Sequence, residues 1–256
     1  MTSPQVARAN AFAALHVKGS PLILYNAWDP GSAKAIRDAG ARAIATGSWS
    51  VAAANGYDDG EKIPLHLLVD IARRIVANVD VPVTLDFESG YARAGSVLEK
   101  NVREVIGAGV VGINLEDQQI SDDAIYGIEE QASRIGTARS AANDSGVPLF
   151  INARTDVFLR SEPPEHPSHV DEAIERAAAY AKAGASGFFV PGLRDPALIA
   201  RICDTVKLPV NVMFYPELLP VAQLGELGVA GLSYGPRPYR EMIAWLTNAA
   251  KLAHGQ

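Results

Sequence analysis

Three acids and one arginine in this chain stand where chemistry could be done. Asp86 and Glu88 close the run Val83-Thr84-Leu85-Asp86-Phe87-Glu88-Ser89-Gly90-Tyr91, an apolar stretch that follows Val81-Pro82 and ends in a glycine turn. Alternation along a strand puts residues i and i+2 on one face, so the two carboxylates point the same way. Like charges side by side at the end of a buried strand are costly unless a cation or a shared proton compensates them. A pair of solvated acids in a loop is the plain alternative. Glu116 closes a second run, Val110 to Asp117, and Arg154 stands near the end of a third, Pro148 to Asp156. Carboxylate oxygens of this kind suit Mg²⁺, or Mn²⁺, often through retained water. Arg154 cannot serve as a base; its planar fork suits a carboxylate or phosphonate, or an ion pair with Glu116 across the top of the fold.

The elements that must position these groups are legible as a repeating pattern. Short apolar runs at Leu22–Ala27, Ala43–Ser48, Val83–Asp86, Val110–Asp117, Pro148–Asp156, Gly187–Gly192, Pro209–Phe214 and Val229–Gly235 read as eight strands. Between them lie helix signals: Asp29-Pro30 through Ala39, Leu65 to Asn78, Val97 to Ala108, a long segment ending near Asn143–Gly146, Asp171 to Lys182, a helix opening at Asp195-Pro196, Pro216 to Leu227, and Pro238 to Leu252. Residues 4 to 18 predict an extra N-terminal helix. Strands without polar alternation belong to a parallel sheet buried on both faces. Eight strand–helix units in 256 residues predict one (β/α)₈ TIM barrel as a single domain over 1–256. No Gly-x-Gly-x-x-Gly follows the first strand, which weakens a dinucleotide-binding reading. In such a barrel the reactive groups lie at the C-terminal ends of the strands. Those ends carry Trp28, Gly47, Ser48, Asp86, Glu88, Glu116 and Arg154.

Composition excludes several classes. A net charge of −6 and a pI near 5.4 argue against nucleic acid and acidic membrane surfaces as partners. No apolar run reaches the ~20 residues that span a bilayer, and Met1 to Gln5 lack the basic and apolar regions of a signal peptide. The single cysteine, Cys203, permits no internal disulfide and fits a cytoplasmic location. None of the five histidines, His16, His66, His166, His169 and His254, falls at a strand end. That argues against zinc and against a Ser-His-Asp hydrolase.

With these residues in view, the chain resembles the isocitrate lyase and phosphoenolpyruvate mutase superfamily from about Leu22 to its last helix. The motifs that carry the resemblance are Thr84-Leu85-Asp86-Phe87-Glu88-Ser89-Gly90-Tyr91, Asn114-Leu115-Glu116-Asp117-Gln118, Ala153-Arg154-Thr155-Asp156 and Ser233-Tyr234-Gly235-Pro236. The resemblance implies that Asp86, Glu88 and Glu116 hold Mg²⁺ mainly through water, and that Asp59 is a loop acid near metal and substrate. It implies that Arg154 grips the substrate, that Trp28 supplies an aromatic wall, and that Gly47 and Ser48 bind the substrate carboxylate. The family more often shows Ser before Gly there, so this order is a departure. It also implies a homo-oligomer, a dimer or a tetramer.

The implied activity is Mg²⁺-dependent cleavage of a small 2-oxo or 2-hydroxy carboxylic acid through an enolate. Relatives acting on isocitrate-like substrates carry a Lys-Arg/Lys-Cys-Gly-His segment after the fourth strand. Here it reads Gln118-Gln119-Ile120-Ser121-Asp122-Asp123-Ala124-Ile125-Tyr126-Gly127, without Cys, Lys or His. A cysteine-dependent lyase is therefore disfavoured. P–C bond chemistry, as in phosphoenolpyruvate mutases and phosphonopyruvate hydrolases, is disfavoured too because the usual Lys and Asn are missing. Decarboxylation or retro-aldol C–C cleavage remains, with water or Tyr126 handling the proton. A non-catalytic protein that binds a 2-oxo acid is the reading from another class.

Overall fold

The computed structural model describes residues 3–120, 122 and 124–255. Met1, Thr2, Ser121, Asp123 and Gln256, which the sequence reading placed in the N-terminus, the loop after the fourth strand and the C-terminus, lie outside the described residues.

Nine parallel strand segments form one sheet that is nearly closed into a barrel. In chain order they are β1 (Leu22–Leu24), β2 (Asn26–Ala27), β3 (Ile44–Thr46), β4 (Val83–Asp86), β5 (Gly112–Glu116), β8 (Phe150–Arg154), β9 (Gly187–Phe189), β10 (Val210–Met213) and β11 (Gly231–Ser233). β6 (Gln118–Gln119) and β7 (Ala124–Ile125) form a small antiparallel hairpin after β5. β1 pairs with β11, and β2 pairs with β3. Only Tyr25 separates β1 from β2, so they are two halves of one barrel strand, and eight positions close the ring as the sequence predicts.

The helices are α1 (Pro4–Leu15), α2 (Pro30–Asp38), α3 (Ser48–Ala54), α4 (Leu65–Asn78), α5 (Gly95–Gly107), α6 (Ile128–Asp144), α7 (His166–Ala183), α8 (Pro196–Thr205), α9 (Val221–Glu226) and α10 (Arg237–Ala253). Their starts follow capping chemistry. Asp29 accepts from Ser32 N–H in a reciprocal capping box, and Asp195 accepts from Ala197 and Leu198 N–H. Several boundaries differ from expectation, among them α9, which begins at Val221 instead of Pro216. α1 stops at Leu15 because residues 17–20 turn back through a Val17–Ser20 bridge. α7 begins at His166, five residues early, since a 3₁₀ turn at Pro163–Glu165 leads directly into it. α3 replaces what reads in sequence as strand end and loop; seven residues are too few for a helical period to show.

α1 covers the N-terminal end of the barrel. Phe12 meets Phe150 edge-on at 5.3 Å between centroids, and His16 stacks on Phe150 at 4.1 Å. Gly112 makes this close approach possible, since a Cβ there would lie 2.7 Å from Phe12 Cε1. With one end plugged by apolar side chains, only the C-terminal end is left for a polar site. Among the described residues, no helix is long and apolar enough to cross a membrane.

Candidate active site

The strand ends converge as parallel register dictates. β4 and β5 set Asp86 beside Asn114, and β5 and β8 set Glu116 beside Arg154. A cavity of about 190 Å³ opens there, lined by Asp86, Asn114 and Arg154 together with Asp59, Gly47 and Ser48. It is smaller than the roughly 300–1,000 Å³ of a drug-sized ligand site and suits a small molecule. A larger groove, about 570 Å³, runs along the outer wall past Ile23, Ala35 and Ile36 and carries no carboxylate.

Arg154 is held by three acids. Its Nε and Nη2 donate to Asp156 at 2.6 and 2.8 Å. Its Nη1 lies 2.8 Å from Glu116 and 4.0 Å from Asp86. Behind it, Asp156 N–H donates to Asp117, which also accepts from Arg176 and from the Tyr180 hydroxyl. A chain of hydrogen bonds thus runs from Arg176 on α7 through Asp117 and Asp156 to Arg154 at the cavity.

Glu88 sits in the tightest corner. Its Oε1 accepts from Gly60 and Glu61 N–H at 3.0 and 2.8 Å, and its Oε2 from the Tyr91 hydroxyl at 3.0 Å. Glu61 in turn accepts from Tyr91 N–H at 2.7 Å. Glu61, Glu88 and Tyr91 are the non-glycine residues with positive φ among the described residues, at 57°, 49° and 55°. Left-handed backbone costs an ordinary residue on the order of 1 kcal/mol or more, and persists where surrounding bonds over-determine it. Here the three strained residues bond one another, which fixes the Glu88 carboxylate against the loop that carries Asp59.

Electrostatics in this corner is unbalanced. Burial pushes the Glu88 carboxyl up to about 8, and the Asp59 charge adds to it. Burial likewise lifts Glu116 well above the carboxylate range, against the pull of Arg154. Asp59 is raised by partial enclosure and then by Asp86, while a hydrogen bond with Ser48 opposes the shift. The side of Asp59 that faces solvent is exposed, so its shift is the smaller matter. Asp59, Asp86 and Glu116 share the charge of the Arg154 guanidinium, which Asp156 already engages.

These donors fit a hydrated divalent cation and not a cage. Among the described residues no three His, Cys, Asp or Glu side chains could together hold one ion directly. Glu88 spends its oxygens on N–H and O–H donors, and Glu116 on Arg154. Asp86 lines the cavity while accepting from Ser48 N–H and Asn114, so a cation there would be held by Asp86 and, through water, by Glu88 and Glu116, the manner in which Mg²⁺ is usually kept.

Glu88 and Glu116 do not line the cavity, and two further expected residues lie elsewhere. Trp28 does not line this cavity; it packs edge-on against Tyr239 at 5.1 Å and borders an outer groove with Pro238 and Met242. The aromatic residues that do line it are Trp49 and Phe189. Trp49 went unrecognised because its helix did. Tyr126 is buried under the Arg134 guanidinium at 4.3 Å and borders a side cavity with Glu61 and Tyr91. Its ring packs there, away from the cavity that Asp86 lines. Gly47 and Ser48 are at the cavity, but Ser48 N–H donates to Asp86 at 3.1 Å and its hydroxyl engages Asp59.

Inside the barrel a ladder of amides runs toward Asp86. Asn211 donates to Asn152 at 2.7 Å, Asn152 to Asn114 at 2.9 Å, and Asn114 to Asp86 at 3.4 Å. Every donor in it points toward the carboxylate.

The model of the phosphoenolpyruvate phosphomutase family matches residues 12–254, almost the whole barrel. The chain belongs to that family. An oxaloacetate decarboxylase of Pseudomonas entomophila (strain L48) is 30% identical over 255 residues, covering 96% of this chain and 84% of that one. An uncharacterized protein of Mycobacterium tuberculosis (strain ATCC 25618 / H37Rv) is 33% identical over 246 residues, covering 94% and 88%. A Burkholderia cenocepacia J2315 protein provisionally named a phosphonomutase superposes with a TM-score of 0.93 at 46% identity, covering 98% of this chain and all of that one. The phosphoenolpyruvate phosphomutase family thus includes lyases and mutases, on the same α/β barrel.

Proposed function

We propose that this protein is a Mg²⁺-dependent lyase that cleaves a C–C bond in a small 2-oxo or 2-hydroxy carboxylic acid, by decarboxylation or retro-aldol cleavage, through an enolate. The observation that carries this reading is the placement of Asp86 and Asp59 on one cavity with Arg154, within a cluster of acids that needs a cation. The oxaloacetate decarboxylase relative supports the C–C branch.

When bound, the metal ion supplies Lewis-acid stabilisation of negative charge on the 2-oxo group. The chain's own residues do the rest. Asp86, fixed by Ser48 N–H and Asn114, sets where the carboxylate end of the substrate lies. Arg154 Nη1, turned toward Glu116 and Asp86, puts fixed positive charge beside the oxygens on which electrons accumulate, and a preorganised charge of this kind is a large catalytic term. Asp59, which lines the cavity and bonds Ser48, is the acid placed to pass a proton to the enolate carbon. Phe189 and Trp49 wall the cavity with apolar surface that excludes water.

Pyruvate release from oxaloacetate, 4-hydroxy-2-oxo acids, methylisocitrate and phosphonopyruvate, with Mg²⁺ and beside an Asp86→Ala control, tests the proposal. Metal-dependent release from a C–C substrate, absent in the control, is expected. Release from phosphonopyruvate alone would move the protein to P–C chemistry. Binding of oxalate without any turnover would make it a 2-oxo acid-binding protein.

A further inference from the structure

Two turns beside the cavity each grip the carboxylate of the other. The first is Gly60-Glu61, where two consecutive residues take left-handed backbone, at φ 83° and 57°. Their N–H groups converge on one oxygen of Glu88, at 3.0 and 2.8 Å. Successive N–H groups set in this way form a concavity for an anion. The second turn runs from Glu88 to Tyr91 and holds Glu88, Gly90 and Tyr91 at φ 49°, 83° and 55°. There the Tyr91 N–H donates to Glu61 Oε1 at 2.7 Å, and the Ser89 backbone bonds the same carboxylate.

The two turns differ in what stands behind them. Asn101 on α5 donates to the Gly90 and Tyr91 carbonyls at 3.0 Å each, and Arg134 on α6 donates to the Ser89 carbonyl. The turn after Glu88 is therefore fastened to two helices. Residues 54–59 are exposed, so Asp59 stands on a loop with little packing of its own. Glycine would meet the backbone demand at position 61 without strain, as it does at 60. What a glutamate adds there is a carboxylate long enough to reach the fastened turn.

We propose that Glu61 is a positioning residue for the proton step: its carboxylate, bound by the 88–91 turn, holds the loop so that Asp59 faces the cavity. This rests on the proposed role of Asp59 as proton donor. Glu61 itself borders the side cavity with Lys62 and Tyr126, away from the one that Asp86 lines. One residue lies between Glu61 and Asp59, so release of the carboxylate reaches Asp59 directly. A displacement of about 1 Å in a reacting group can cost about 100-fold in rate.

Two substitutions separate the carboxylate from the backbone. Glu61→Gly keeps the left-handed conformation and removes the carboxylate, while Glu61→Gln keeps an acceptor oxygen of the same reach. With the substrate that responds in the pyruvate-release assay, kcat is expected to fall about tenfold in Glu61→Gly while KM stays within about threefold of native. Glu61→Gln should stay within about threefold in both. In an Asp59→Asn background the further loss from Glu61→Gly should vanish, since the group it positions is gone. Amide exchange in the metal-free protein gives a readout apart from turnover. The Gly60 N–H should exchange about tenfold faster in Glu61→Gly than in the native protein or Glu61→Gln. Native kcat in Glu61→Gly, or a loss as large without Asp59 as with it, would overturn the assignment and leave the 2-oxo acid site standing. Unchanged exchange at Gly60 would overturn it too, since the loop would then be held without the carboxylate. Absence of turnover of every acid by the native protein would overturn the site and this assignment together.

Discussion

Arg154 and Asp156 stand two residues apart at the end of β8 and meet as fork and cleft, with Nε to Oδ1 at 2.6 Å and Nη2 to Oδ2 at 2.8 Å. The side of the fork left over, Nη1, is the one that turns to Glu116 and toward Asp86. Asp156 therefore decides where Arg154 presents its charge. Asp156→Asn removes the partner of a buried guanidinium, and breaking a buried pair costs about 3 kcal/mol. Urea unfolding should show that loss, and kcat for the responding substrate should fall at least tenfold. A stable Asp156→Asn protein with native kcat would contradict this role.

On the proposed reading, Glu88 acts on the metal ion through water. Its oxygens already accept from Gly60 N–H, Glu61 N–H and the Tyr91 hydroxyl, which leaves them to act on such an ion indirectly. Replacing such an outer partner typically weakens metal binding about 10–100-fold. Glu88→Gln should do so in a Mg²⁺ titration followed by thermal stability. Native affinity in that variant would place the ion away from this corner.

Much of this was legible in the chain, and the reasons differ by residue. Eight strand runs and their helices show in the sequence because parallel strands are apolar throughout and proline, aspartate and glycine mark the helix ends. Asp86, Glu116 and Arg154 meet because parallel pairing carries strand ends to one side of the barrel. What stayed hidden depends on short or tertiary features. α3 is seven residues long, so Trp49 looked like loop. Arg240 lies on α10, and only the folded chain brings it to the cavity. Trp28 follows a strand and still misses the cavity, because Asp29 starts α2 immediately and the indole packs outward on Tyr239.

Tyr126 lies under Arg134, at the side cavity and away from the Asp86 mouth. Tyr126→Phe keeps the ring that packs there and removes only the hydroxyl. Turnover should stay within about threefold of native, since loss of a catalytic proton donor costs about 10²–10⁴-fold. A hundredfold loss would restore the hydroxyl to the mechanism.

His16 gives the fold an acid-sensitive joint far from the site. Burial against Phe12 and Phe150 lowers its pKa from 6.5 to about 4, only partly offset by its bond to the Phe12 carbonyl. A folded-state value below the unfolded one means stability present above pH 6.5 and lost as the pH falls toward 4. Between pH 7 and 4.5 this group should remove about 2 kcal/mol. His16→Phe should lose correspondingly less over that interval in urea unfolding. Equal losses in both proteins would show that His16 titrates normally.

The amide ladder can be tested where it is most tightly enclosed. A methyl group on Gly231 would overlap the Asn211 side chain, since the two residues are paired neighbours on β11 and β10. Gly231→Ala should therefore cost about 1–3 kcal/mol through overpacking. Asn211→Ala should cost about 1 kcal/mol, because Asn211 Oδ1 has no hydrogen-bond partner and only the bond to Asn152 is lost. In the double variant the alanine at 211 leaves room for the new methyl, so the two costs should fall short of their sum by at least 1 kcal/mol. The same double variant should still lose activity, because Asn152 no longer receives the bond that starts the chain to Asp86. Additive costs in the cycle would mean that Gly231 is required for a reason other than Asn211.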